Sequence, residues 1–158
     1  MLKDLFPARD GALHCEDVPL EDLAAKFGTP LYVYSRAGIV GMLSAYQNAF
    51  RKWDPVVAYA VKANPSLEII RSLAASGGGA DIVSGGELHR ALKAGVDPSK
   101  IVFAGVGKSA SEMEEALSAG ILLFNVESVP ELELLNEVAG RLGRVAPIAI
   151  RVNPDVDP

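Results

Sequence analysis

The stretch Ala80-Asp81-Ile82-Val83-Ser84-Gly85-Gly86-Glu87-Leu88 decides the fold. Ala80–Val83 is short, apolar and rich in strand formers, and a helix start follows it at once. Ser84 and Glu87 fit a capping box: the serine oxygen accepts an orphan backbone N–H, and the glutamate reaches back to the N-cap N–H. Leu88, Ala91 and Leu92 then recur at helical spacing. One short stretch therefore spells a β-to-α junction.

The same junction is read again on either side. Further strands are expected at Val56–Val61, Ile101–Ala104, Leu122–Val126 and Pro147–Val152. Further boxes are read at Ser111 with Glu114 and at Ser128 with Glu131. Helical spacing links Leu67, Ile70, Leu73 and Ala74, then Met113, Ala116 and Leu117, then Leu132, Leu135 and Val138. Gly77, Gly95, Gly120 and Gly140 stand where helices should stop, as left-handed C-caps. Junctions recur about every 22 residues. An α/β fold with a parallel sheet and right-handed crossovers follows.

The first 55 residues differ. Leu31–Tyr34 reads as a strand entered by Gly28-Thr29-Pro30. Ser35 is expected to cap a helix from Arg36 to Arg51, with Ile39, Met42, Leu43, Tyr46 and Phe50 on its apolar face. Trp53, with Phe50 and Tyr46, is expected in the core beneath it. A short helix is read at Leu20–Phe27, and a loop at Asp155-Val156-Asp157, between Pro154 and Pro158.

Composition removes several classes. The chain has 158 residues, 15 basic and 20 acidic, for a net charge of −5. Such a balance predicts no nucleic-acid partner, because phosphate binding needs facing Lys and Arg. Cys15 is the one cysteine, so no intrachain disulfide can form. No apolar stretch follows Met1 and no run is long enough to span a bilayer, so no signal peptide and no membrane partner are expected. These readings together predict a cytoplasmic protein. No metal site is read.

Alternation along the strands sorts the side chains by face. Ala58, Ala60 and Lys62 share one face, Asp81 and Val83 another strand's, and Ala149 and Arg151 a third's. The large apolar residues should meet the helices, leaving small residues with Lys62, Asp81 and Arg151 on the other side. A doubly wound sheet, covered on both faces, would bury those charges awkwardly, which favours a barrel whose chemistry sits at the C-terminal strand ends. Two readings of this group stand. A partly desolvated Lys62 would be a usable amine nucleophile, with an acid and an arginine near it. Alternatively Lys62 is a solvated strand-end lysine, and Arg151 with Asp81 a buried ion pair.

Tyr59-Ala60-Val61-Lys62-Ala63-Asn64 resembles the pyridoxal-phosphate lysine motif of the fold-type III decarboxylases. Phe27–Tyr34 upstream resembles their entry strand. Ala80–Leu88, Ile101–Gly105 with Lys108-Ser109, Phe124–Ser128 and Ile150–Pro154 follow in the order of the diaminopimelate decarboxylase branch. Pro65-Ser66-Leu67 stands where related racemases carry Tyr-Gly-His. The resemblance implies a partial (β/α)8 TIM-type barrel with about five of its eight strands, in residues 35–158. Residues 1–34 would carry a strand of a C-terminal β domain.

The implied activity is pyridoxal 5'-phosphate-dependent decarboxylation of meso-2,6-diaminopimelate to L-lysine and carbon dioxide, in a homodimer. Lys62 would hold the cofactor covalently and be the catalytic residue. Ala60, Asp81 and Arg151 would be cofactor-binding, acting by position and charge balance. A stacking histidine, a phosphate loop, an acid for the pyridine nitrogen and a cross-subunit Cys and Tyr are not matched here. His14 and His89 do not take the stacking position, and Cys15 reads as an inert thiol. Gly77-Gly78-Gly79 and Gly105-Val106-Gly107-Lys108 lack Walker spacing. Closing an eight-stranded barrel takes about 250 residues, so the chain is expected to be part of a longer, active enzyme and inactive alone. The alternatives are an ornithine- or arginine-type decarboxylase, or a non-catalytic five-stranded scaffold module.

Overall fold

Asp10 and Gly11 both hold positive φ, 51° and 83°, a two-residue turn that matches the twist of a hairpin. It joins β1 (Ala8–Arg9) to β2 (Ala12–Cys15), and β3 (Val18–Pro19) completes a small antiparallel sheet. This sheet was not read from the sequence, although Asp-Gly is a strong hairpin signal. The computed structural model describes residues 5–154, so the loop expected at 155–157 lies outside the described residues. α1 (Leu20–Phe27) follows as expected. Leu31–Tyr34 forms no strand, because no neighbouring strand hydrogen-bonds to it among the described residues.

α2 (Arg36–Phe50) starts where the sequence places it, with Ser35 Oγ accepting from Gly38 N–H at 2.9 Å. Glu16 ties the small sheet to this helix start. Its carboxylate accepts from Ala37 N–H at 2.8 Å and from the Ser35 hydroxyl at 3.1 Å. Those bonds, the Ala37 one foremost, hold its carboxyl below the ordinary glutamate value. The expected core under α2 does not form: Trp53 is 72% exposed, and Phe50 and Tyr46 are also exposed. Only Leu43 of α2 is buried, since little packs over the rest of its apolar face among the described residues.

From there the chain alternates strictly. The strands are β4 (Ala58–Ala60), β5 (Gly79–Ile82), β6 (Ile101–Phe103), β7 (Leu123–Val126) and β8 (Ile148–Ile150). The helices between them are α3 (Leu67–Ala75), α4 (Gly85–Lys93), α5 (Ala110–Ala119) and α6 (Val129–Arg141). All five strands are parallel, in the spatial order β4-β5-β6-β7-β8. A doubly wound sheet reverses its order at a switch point. Here the order never reverses, so right-handed crossovers put every helix on the same face. This is an arc of a (β/α) barrel with five strands.

Caps fix the junctions, with three corrections. At α4 and α6 the serines cap as expected, but Glu87 and Glu131 accept from the N–H one residue before the cap, Val83 and Glu127, not from the cap's own. α5 is capped by Ser109 with Glu112, not by Ser111 with Glu114. The two overlapping boxes share one apolar stripe, and the earlier one wins because Glu112 also meets Gly85 N–H at 2.7 Å. α6 runs through Gly140 to Arg141, and Gly143 takes the left-handed position at φ 62°. Ile82, Phe103, Phe124, Leu88, Met113 and Leu135 form the core between sheet and helices. Phe103 and Phe124 lie 5.9 Å apart, stacked across β6 and β7. Full burial of each contributes about 1.5–3 kcal/mol.

Candidate active site

Parallel register places paired residues on one face, so the ladder can be read inward. Ala60 pairs with Asp81, Asp81 with Val102, Val102 with Leu123, and Asn125 with Ala149. Each of these is half-buried, whereas Ile82, Phe103 and Phe124 on the helix side are fully buried. The inner face is thus small or polar at β4, β5 and β8 and at Asn125, as the alternation predicted, but Val102 and Leu123 make its middle apolar.

Lys62 is not at a strand end. β4 stops at Ala60, and Val61–Ala63 forms a 3-10 turn that carries Lys62 out of the ladder. The turn is firmly held. Val61 is completely buried, the Tyr59 hydroxyl donates to Asn64 O at 3.3 Å, and Arg90 donates to Pro65 O at 3.2 Å. The desolvation expected at Lys62 is absent, because the residue is exposed. An exposed amine on a rigid turn remains free to react.

Asp81 sits beside it on the inner face. Its Oδ1 is buried without a hydrogen-bond partner. Burial pushes its carboxyl above the ordinary aspartate value, against the pull of the Lys62 charge, while Glu87 adds to the rise. A buried acceptor left unpaired is costly, so this oxygen is an open position for a donating or cationic group.

Arg151 follows β8, and its backbone N–H donates to Val126 O at 2.9 Å. Its guanidinium pairs with Glu127 Oε2 at 3.1 Å and donates to Asn153 Oδ1 at 3.2 Å. The alternative Arg151–Asp81 ion pair does not form. Ala60 and Asp81 thus face each other on neighbouring strands with Lys62 on the turn beyond β4, while Arg151 reaches the same rim through Glu127.

Sequence reasoning read Glu87 and Glu131 only as cap residues and gave Glu112, Glu127 and Lys108 no role at the rim. Glu87 accepts from Val83 N–H at 2.8 Å, Glu112 links α4 to α5, and Glu127 accepts from Gly105 N–H at 2.9 Å. Lys108, with a side chain 0% exposed, meets Glu131, itself 8% exposed, at 2.6 Å. The signal was present: Lys108 and Glu131 stand one junction repeat apart. The misplaced α5 cap obscured it. Lys108 spends its three donors on Glu131, Gly105 O and Asn125 O, so Lys62 is the rim lysine with a usable amine. An apolar groove of about 380 Å³ opens beside β4, but Ile39, Met42, Leu43 and Leu73 line it and it holds no carboxylate, imidazole or amine.

The family model described as "Pyridoxal-dependent decarboxylase, pyridoxal binding domain" matches residues 36–158. The diaminopimelate decarboxylase of Neisseria meningitidis serogroup B is 54% identical over 145 residues, 92% of this chain and 35% of that protein. That of Aquifex aeolicus is 56% identical over 161 aligned positions, 100% of this chain and 38% of that protein. The chain therefore spans little more than a third of these relatives' length. The crystal structure of M. jannaschii diaminopimelate decarboxylase in co-complex with L-lysine superposes with a TM-score of 0.92 at 44% identity, covering 99% of this chain and 37% of that one. No helix among the described residues is long and apolar enough to cross a membrane.

Proposed function

The chain belongs to the pyridoxal-dependent decarboxylases, as their pyridoxal-binding domain, and on that premise we propose that it carries the reactive lysine of a diaminopimelate decarboxylase. The reaction is the conversion of meso-2,6-diaminopimelate to L-lysine and carbon dioxide. The working enzyme is a longer cytoplasmic polypeptide, active as a homodimer, in which further strands close this arc. An ornithine- or arginine-type activity has no observation in its favour over this reading.

The observation that carries the proposal is an exposed Lys62, on the turn just after β4, close enough for its charge to act on Asp81 of β5, whose buried Oδ1 has no partner. These residues fit pyridoxal phosphate: an amine for its aldehyde, a vacant acceptor for a donor, and a small Ala60 leaving room. When bound, the cofactor supplies the electron sink that lets an amino-acid carboxylate leave as carbon dioxide. Lys62 Nζ would hold it covalently. Asp81 Oδ1 accepts from a donor in the loaded site and balances positive charge. Ala60, small and opposite Asp81, would leave room for the cofactor beside β4, and Arg151 would offer its guanidinium to an anion at the rim.

The test is borohydride reduction of the full-length protein followed by peptide mapping. A pyridoxyl mass on Lys62 is expected, and none on Lys108. Labelling of any other lysine in its place overturns the assignment.

A further inference from the structure

We propose that Lys108 is a positioning residue for this site, holding Arg151 at the barrel rim through a relay of two carboxylates. The inference rests on the reading of this rim as the cofactor site. The relay is continuous. Lys108 Nζ donates to Glu131 Oε1 at 2.6 Å, and Glu131 Oε2 accepts from Glu127 N–H at 3.0 Å. Glu127 Oε1 accepts from Gly105 N–H at 2.9 Å, and its Oε2 takes the Arg151 guanidinium at 3.1 Å. Each carboxylate divides its two oxygens between two partners. Neither can rotate without breaking both bonds.

The chemistry of Lys108 argues for position over stability. A fully buried ammonium loses its water, and replacing the Lys108–Glu131 pair as a whole by apolar side chains would commonly leave a fold as stable or more so, whereas removing Lys108 alone strands a buried Glu131. What an apolar side chain cannot do is bind Gly105 O at 2.7 Å, Asn125 O at 2.8 Å and Glu131 together. Those groups belong to the loop after β6, the end of β7 and the first turn of α6. One ammonium, 5.7 Å from the Phe103 ring centre, therefore fixes the rim where β6, β7 and β8 end. Its three donors are all used, so it takes no part in bond making. Arg151 lies at the far end of the relay and is half exposed. Without Glu127 it would sample the many rotamers of a free arginine.

The test uses Lys108→Met, Lys108→Arg and Glu127→Gln in the full-length protein, with the dissociation constant of pyridoxal phosphate read alongside kcat and KM. Lys108→Met is expected to weaken cofactor binding about tenfold, the scale of one lost hydrogen bond to a charged group. Glu127→Gln should weaken it similarly. The double variant should be no worse than the weaker single, because both act on one relay. Should Lys108→Met fail to fold, Lys108→Arg carries the test: it keeps the charge but its planar fork cannot reproduce the three bonds, so the same weakening is expected. Folded variants that melt earlier yet bind the cofactor as the wild type does would overturn the proposal, as would losses that multiply. Labelling separates this from the function itself. With Lys62 labelled in the wild type, unchanged binding in the variants overturns the positioning role alone. A wild type that takes up no pyridoxal phosphate overturns both.

Discussion

Gly79 is the position where the fold admits least. A Cβ built there would lie 2.3 Å from Lys100 O and 3.1 Å from both Lys100 Cβ and Val56 Cγ1. Ordinary contact begins near 3.4 Å, so the methyl arrives about an ångström too close to a backbone oxygen. That oxygen belongs to the residue that enters β6, and Gly79 N–H is itself bonded to Val57 O at 2.9 Å. The new methyl can be accommodated only by parting β4, β5 and β6. Overpacking of this kind costs about 1–3 kcal/mol, and a blocking backbone puts it at the upper end. The stiffer unfolded chain returns about 0.4–1 kcal/mol, leaving a net loss near 2 kcal/mol. Gly140 is the matched control. It lies in the last turn of α6 with nothing within 4 Å of its would-be Cβ, and its φ is ordinary. Gly140→Ala should gain about 0.5–1 kcal/mol. Urea unfolding of the full-length variants reads both, with midpoints moving in opposite directions. With a slope of about 1–3 kcal/mol per molar, Gly79→Ala should lower the midpoint by roughly 1 M. A Gly79→Ala midpoint within about 0.3 M of wild type would refute the close approach of β5 and β6.

Two carboxyls predict opposite pH behaviour. Asp81 is raised in the fold, chiefly by burial, so the native state holds its proton longer than the unfolded chain and stability declines as pH rises from about 4. Asp81→Asn should remove that decline, unfolding at higher urea than wild type at pH 7 without cofactor while binding pyridoxal phosphate more weakly; equal midpoints at pH 7 would contradict it. Glu112 is lowered, first by its bond from Gly85 N–H and then by those from Ser109, so its stabilisation is present above the ordinary glutamate value and lost as acid protonates it. Glu112→Gln should cost about 1 kcal/mol at neutral pH, with the gap closing in acid. A gap that persists unchanged to pH 3 would rule the bonds out as its source.

Much of this was legible because it is written locally. Ser84, Ser128 and Ser35 cap helices by short-range chemistry, so three residues of sequence suffice to see them. Period-two alternation placed Ala60 and Asp81 on one face for the same reason. What escaped depends on partners distant in sequence. Ser109 prevails over Ser111 because Glu112 meets Gly85, 27 residues earlier. Trp53 looked like core because it is large and apolar, but burial needs something to lie against. Lys62 left its strand's period because Val61 turns inward into the core, a choice made by tertiary packing. Lys108 stands one junction repeat before Glu131, but the misplaced α5 cap hid what that spacing meant until β6 and β7 lay side by side.

The monotonic order β4-β5-β6-β7-β8 has a kinetic meaning. Every strand pairs with the one made just before it, so no partner is ever more than one βα unit away along the chain. A ribosome would deliver the units in the order in which they dock, each new strand meeting a finished edge with little loop entropy to overcome. The cost is that the newest edge is always open. At β8, which pairs only with β7 among the described residues, that edge carries Ile148 and Ile150, the latter 70% exposed. Growth by addition to one live end makes assembly fast, and it makes each pause during synthesis a moment when that end can join the wrong chain.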